Sequence, residues 1–217
     1  MDGADGNPLR RGWRRARSAL VDVCDAATDL RLGISTRAPW SVQPLDPEAR
    51  NVRYEALDYR ALREIRRRVA FDPDDVFFDI GCGMGRALCW AARRPLRACI
   101  GVDVDPDLTA VARVNAERLR GRRAPIEVRT ADATKADLAA ATLTFMYNPF
   151  GAEVMRAVLA ALARGAAGRP RPLRIVYAAP AQIAVFGEFA QVRETMRFRA
   201  PHRLGGVEVV VFAVAGS

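Results

Sequence analysis

The chain is nearly without lysine and histidine: Lys135 and His202 stand alone among 217 residues. Its four cysteines, Cys24, Cys82, Cys89 and Cys99, form no CxxC pair. One histidine and scattered thiols are too few for a zinc ligand set, so no metal is expected. Aromatic residues make up 7%, and Trp13, Trp40 and Trp90 lie too far apart to read as a stacking platform for bases. No apolar run approaches the about 18 residues that a membrane-spanning helix needs. No repeat of any period is present, which excludes solenoids, collagen and coiled coils.

What is abundant is arginine and alanine. There are 33 Arg against 25 acidic residues, for a net charge of +9, together with 39 Ala. A GC-rich genome writes this bias without functional pressure, so the high isoelectric point is not in itself evidence for a nucleic-acid partner. It does favour acidic partners in diffusional encounter. Half the residues are hydrophobic, enough to build a core. The length fits one domain with a small appendage. Three of the cysteines sit in apolar runs and read as small buried hydrophobes, which fits a reducing, cytoplasmic compartment. Arg10, Arg11, Arg14, Arg15 and Arg17 are not followed by an apolar segment, and Asp22, Asp25 and Asp29 interrupt what does follow, so no signal peptide is expected.

Met1–Arg11 is rich in Gly, Asp, Asn and Pro and reads as frayed. A helical pattern follows from Trp13 to Leu30, stopped at Gly33, and a proline-rich loop from Ala38 to Arg50. A second helix is expected over Glu55–Val69, with Leu62, Ile65 and Val69 on one face and five arginines around the rest. Beyond Pro73 strands and helices alternate. Strands are expected at Asp75–Ile80, Arg97–Val102, Pro125–Thr130, Ala141–Tyr147 and Leu173–Ala178, with helices at Gly85–Arg94, Asp107–Arg120, Gly151–Arg164 and Ala181–Ala190. Val192–Phe198 and Val207–Val214 close the chain as two strands with no helix between them, so they should pair antiparallel. The fold class is therefore α/β: a Rossmann-like, doubly wound seven-strand sheet ending in an antiparallel hairpin. Residues 1–53 form an N-terminal helical extension, partly disordered, and residues 54–217 the main domain.

The sharpest local signal is FFDIGCGMGR, Phe77–Arg86. A strand runs into Gly81-x-Gly83-x-Gly85 and then into a helix. Glycines let backbone approach a ligand with no Cβ in the way. The dinucleotide fingerprint needs a further glycine at 86, where this chain has Arg86, so NAD and FAD are disfavoured. No Gly-Lys-Ser/Thr follows, which excludes a P-loop. Asp103 ends the second strand, 22 residues after Gly81, placed to accept from ribose hydroxyls. Asp132 follows the third strand, placed to accept from an adenine amine. Tyr147-Asn148-Pro149-Phe150 leaves the fourth. Taken singly, each has a bland reading as a strand–helix turn, a helix cap or a plain turn. Together they occupy successive strand ends, where ligands bind in such sheets.

On these residues the sequence resembles the class I, seven-strand S-adenosylmethionine-dependent methyltransferases over about Tyr54–Val214. Asp79, Gly81, Gly83 and Gly85 match the first motif, Asp103 the ribose-binding acid and Asp132 the adenine-side acid, and the closing hairpin belongs to the same pattern. Phe145–Val154 (FMYNPFGAEV) resembles amino-group methyltransferases with Asn-Pro-Pro-aromatic motifs, and also seven-strand protein-lysine methyltransferases. Phe150 stands where the former would have a second proline.

The resemblance implies S-adenosylmethionine as cofactor, bound by Asp79, Gly81, Gly83, Gly85, Asp103 and Asp132. It implies transfer to an amino group of a protein lysine or a small molecule, with Asn148, Pro149 and Phe150 as catalytic residues and Tyr54, Tyr59 and Tyr147 as substrate residues. The alternatives are an RNA or DNA base methyltransferase, for which a nucleic acid is the partner, and a non-catalytic cofactor-binding module.

Overall fold

The computed structural model describes residues 8–37, 54–203 and 205–216. The proline-rich loop expected at 38–50 lies outside the described residues, as do 1–7.

Helix α1 spans Pro8–Leu32 and α2 spans Tyr59–Arg68. The main domain then runs β1 Val76–Ile80, α3 Arg86–Ala91, β2 Ala98–Asp103, α4 Pro106–Arg118, β3 Ile126–Thr130, β4 Leu143–Tyr147, α5 Ala152–Ala166, β5 Leu173–Ala178, α6 Ile183–Phe186, β6 Val192–Ala200 and β7 Val207–Val214. The sheet order is β3-β2-β1-β4-β5-β7-β6. The first five strands of that order are parallel to their neighbours, and β7 enters antiparallel between β5 and β6. The doubly wound sheet and terminal hairpin expected from the alternation are present.

Every residue of β1 is buried, as a central parallel strand covered on both faces requires. Side chains alternate between two cores. Phe77, Phe145, Val209 and Val211 pack with Leu62, Ile65, Leu88 and Trp90 on one face. Phe78, Ile80, Val210 and Phe212 pack with Val154, Met155, Val158 and Leu162 of α5 on the other.

Three elements differ from the sequence reading. Helix α1 starts at Pro8, inside the stretch expected to fray, because proline fits a helix's first turn without losing a needed donor. Helix α2 starts four residues later than expected, after Asp58. Helix α6 is only four residues long, since the chain turns at Gly187 through bonds to Ala184 and Val185 carbonyls.

Candidate active site

The strand order β3-β2-β1-β4 brings the expected site segments to one rim. Each leaves the carboxyl end of one of four adjacent strands, and the order reverses between β1 and β4, where such sheets open a crevice.

The glycine loop is built from left-handed backbone: φ is +77° at Gly81, +51° at Gly83 and +81° at Gly85. Only glycine takes these values without strain. Space also forbids a side chain. A Cβ on Gly81 would lie 2.4 Å from the Pro149 Cβ, and one on Gly83 2.2 Å from the Tyr54 ring. The loop is thus pressed between Pro149 on one side and Tyr54 on the other.

Asp103 ties this loop to the next. One carboxylate oxygen accepts from the Gly83 amide at 2.8 Å and the other from the Asp105 amide at 3.0 Å. Capping of α4 falls instead to Asp105, which accepts from Asp107 and Leu108. Asp79 is buried and accepts from the Leu88 amide at 3.0 Å in α3. Burial pushes its carboxyl up to about 7, with the Leu88 bond opposing and the Asp103 charge adding. Burial also raises Asp103, against the two amide bonds. Asp132 turns its carboxylate onto Thr134, accepting from its amide at 2.9 Å and its hydroxyl at 2.7 Å.

On the acceptor side, Asn148 has φ +39°, and its amide hydrogen goes to Ala178 of β5 at 3.2 Å. Among the described residues its side-chain oxygen receives one long bond, from the Tyr177 hydroxyl at 3.4 Å. The Phe150 ring is buried in the α5-side core with Ile80, Met146 and Val154, and packs the loop against it.

Tyr59 is buried, and its hydroxyl donates to Asp29 at 2.5 Å. Tyr54 does reach the rim: its ring lies against Gly83, and its hydroxyl donates to the Thr36 carbonyl at 2.8 Å. Tyr147 is half-buried beside His202, with its oxygen 3.5 Å from His202 Nε2.

Two groups escaped the sequence reading. The first is the network around Arg86, which donates to Asp25 at 2.7 Å and Thr36 Oγ1 at 2.6 Å and lies 3.5 Å from Asp29. Thr36 in turn donates to Asp29 through both its amide and hydroxyl. Asn115 of α4 clamps Ser35 by two bonds of 2.8 Å and bonds the Met84 carbonyl. The end of α1 and residues 34–36 are therefore anchored directly on the glycine loop and its helix. A sequence signal existed: Asp25 and Asp29 are four apart, which puts two carboxylates on one helix face. The second is His202, which lies 3.8 Å from Asp58 and beside Tyr147. Burial lowers its basicity, against the Asp58 charge. The turn between antiparallel β6 and β7 brings it to the rim, and nothing local in sequence marks that.

Residues 77–167 match a family described as a methyltransferase domain. No curated protein sequence matches the chain. Among solved structures, an RNA methyltransferase from Salinibacter ruber, in complex with S-adenosyl-L-homocysteine, is 24% identical. The alignment covers 72% of this chain and 91% of that one, with a TM-score of 0.55. Magnesium protoporphyrin IX methyltransferase from Synechocystis PCC 6803, with bound S-adenosylmethionine, is 15% identical over 99% of this chain and 87% of that one, with a TM-score of 0.52. TrmN from Thermus thermophilus is 15% identical over 70% and 48%, with a TM-score of 0.58.

The rim fits S-adenosylmethionine, the ligand bound in the Synechocystis structure. The side-chain-free backbone at Gly81 and Gly83 admits a close ligand. Asp103 offers a carboxylate for ribose hydroxyls, and Asp79 offers a carboxyl whose ionisation a cationic ligand would favour. Among the described residues, no helix is long and apolar enough to cross a membrane.

Proposed function

We propose that the protein methylates an amino group, on a protein lysine or a small-molecule amine, using Asn148 to orient the acceptor. The observation that carries this reading is the position of Asn148. It leaves β4 in a left-handed conformation, immediately before Pro149, which packs on Gly81. Among the described residues its side-chain oxygen is engaged by a single long bond, which leaves it room to accept a hydrogen from an acceptor amine.

S-adenosylmethionine supplies the activated methyl group. The protein's part is position and protonation state. Asn148 would hold a neutral amine by one N–H, leaving its lone pair free for the methyl group. Transfer would form a C–N bond as the methyl–sulfur bond breaks, and the resulting ammonium would give up one N–H proton. His202, 3.5 Å from the Tyr147 hydroxyl, gives the rim a base for that proton.

A second reading is methylation of a nucleobase. It is favoured by the RNA methyltransferase from Salinibacter ruber, at 24% identity. One experiment separates the two: cell extract with isotopically labelled S-adenosylmethionine and this protein, followed by fractionation. Label in protein or in small molecules supports the amine reading, and label in nucleic acid overturns it.

A further inference from the structure

The edge of the sheet opposite the rim gathers arginines that make no ion pair among the described residues. Arg94, just past α3, lays its guanidinium over Trp90 with 3.9 Å to the ring centroid, and a guanidinium N–H donates to the Trp90 carbonyl. Its Nε is buried and has no hydrogen-bond partner among the described residues. Arg93 packs on Gly121, where an added Cβ would meet its Nε at 3.4 Å. The Arg123 and Ala124 amides both donate to the Ala92 carbonyl, at 2.8 and 3.0 Å, which brings Arg122 and Arg123 to the same place. Arg66 of α2 completes the group. Burial, then Arg66 and Arg93, push Arg94 down to about 10.

None of Arg66, Arg93, Arg94, Arg122 and Arg123 makes an ion pair among the described residues. The nearby carboxylates are engaged elsewhere: Glu64 by Arg67 and Arg68, Asp74 by Arg97, and Asp72 by Arg171. Arginine at a helix C-terminus is favoured by the helix dipole. That effect belongs to one helix at a time. It does not account for three chain segments converging like charges on one another, nor for the orphaned Nε.

We propose that this edge binds the phosphate backbone of a nucleic acid. Four of the five arginines are exposed, and a guanidinium fork matches phosphate oxygens in pairs. An anion there relieves the mutual repulsion that folding imposes. Trp90 is 7% exposed, covered by Arg94, and offers no face for a base, so recognition is of backbone and not of sequence. The proposal is independent of the methyl acceptor, and either can fail while the other stands.

The test is fluorescence anisotropy of the full chain with labelled single-stranded RNA and DNA about 20 nucleotides long, and with labelled polyglutamate of similar length. Three phosphate contacts predict roughly 20-fold weaker binding between 50 and 200 mM salt. Arg93→Ala/Arg122→Ala/Arg123→Ala should bind about 10-fold or more weakly at low salt, with the salt slope reduced by about 2. Arg17→Ala/Arg31→Ala/Arg37→Ala removes the same charge elsewhere and should keep most of the binding. S-adenosylmethionine affinity should be unchanged in both. The proposal is overturned if the wild type does not bind either oligonucleotide, if both triple variants lose binding equally, or if polyglutamate binds as tightly as RNA. RNA bound more tightly than DNA, or the reverse, names the source.

Discussion

Arg86 donates to Asp25 across 2.7 Å, and both side chains are buried. The two residues are 61 positions apart, one at the start of the helix that follows the glycine loop and one in the N-terminal helix. Asp29 and the Tyr59 ring complete the setting, the ring with Arg86 5.0 Å from its centroid. Breaking such a pair by removing one partner strands the other charge in low dielectric, at a cost of about 3–5 kcal/mol.

Arg86→Met is therefore expected to destabilise the fold by roughly that amount. Burial already raises Asp25 above the usual carboxylate range, while Arg86 holds it down. Without Arg86 it rises further. A carboxyl with a raised folded-state value contributes most when protonated and loses its contribution as pH rises through that value. The deficit of the variant should thus shrink on acidification toward pH 4. Urea denaturation at several pH values checks this, and a deficit independent of pH would assign the loss to packing alone.

Asp79 gives a second pH signature. With its carboxyl near 7 in the folded protein against 3.8 as the model-peptide value, the folded state holds more protons between about pH 4 and 7. Its contribution to stability is complete below the lower value and is lost as pH rises through the upper one. S-adenosylmethionine is cationic at sulfur and at its amino group, so its binding should drive Asp79 to ionise. Proton release on binding is expected near pH 6–7. Calorimetry in buffers of different ionisation enthalpy reads it, and Asp79→Asn should abolish it. Release of equal size in the variant would place the proton on another group.

Tyr54 stands across from the glycine loop, with its ring on Gly83 and its hydroxyl on Thr36. Thr36 is held by Asp29 and Arg86, so the N-terminal helix fixes this wall of the site through three side chains. Tyr54→Leu should weaken S-adenosylmethionine binding about 10-fold or more, through loss of an aromatic face toward a cationic ligand. Tyr54→Phe, which keeps the face, should stay within a few-fold. Calorimetry on both variants tests it; tighter binding by Tyr54→Leu would mean that the ring obstructs the site.

The parts of this fold legible in sequence are those set by local pattern. Leu173–Ala178 reads as a strand with both bounds right, because an apolar β-rich run sits between prolines and a helix. Gly81, Gly83 and Gly85 read as a ligand loop because only glycine takes those angles. What was illegible depends on partners far along the chain. Arg86 reads only as a residue that blocks dinucleotide binding, until Asp25 appears beside it. Phe150 follows Asn148-Pro149 and so reads as part of the site, yet its side chain falls on the same core as Met146. His202 reaches Tyr147, 55 residues away, only because β7 runs back antiparallel along β5. Charge clustering was hidden in the same way. The arginines look like composition along the sequence, and converge only once the ends of α2, α3 and α4 meet at one edge.

Asn148 carries the acceptor reading and can be tested apart from the cofactor. Its amide is committed to Ala178, and Pro149 fixes the backbone that follows and removes a donor. Among the described residues the side chain is tied by the long contact from Tyr177 alone, so truncation breaks no strong bond there. Asn148→Ala should keep cofactor affinity within a few-fold of wild type. Turnover should fall by about 100-fold or more, the scale of losing a positioning contact made chiefly in the transition state. Calorimetry gives the first quantity, and single-turnover methylation of the acceptor found by labelling gives the second. Parallel loss of both would move Asn148 into the cofactor pocket. Loss of neither would reduce Asn148-Pro149 to a turn and remove the residue on which the amine reading rests.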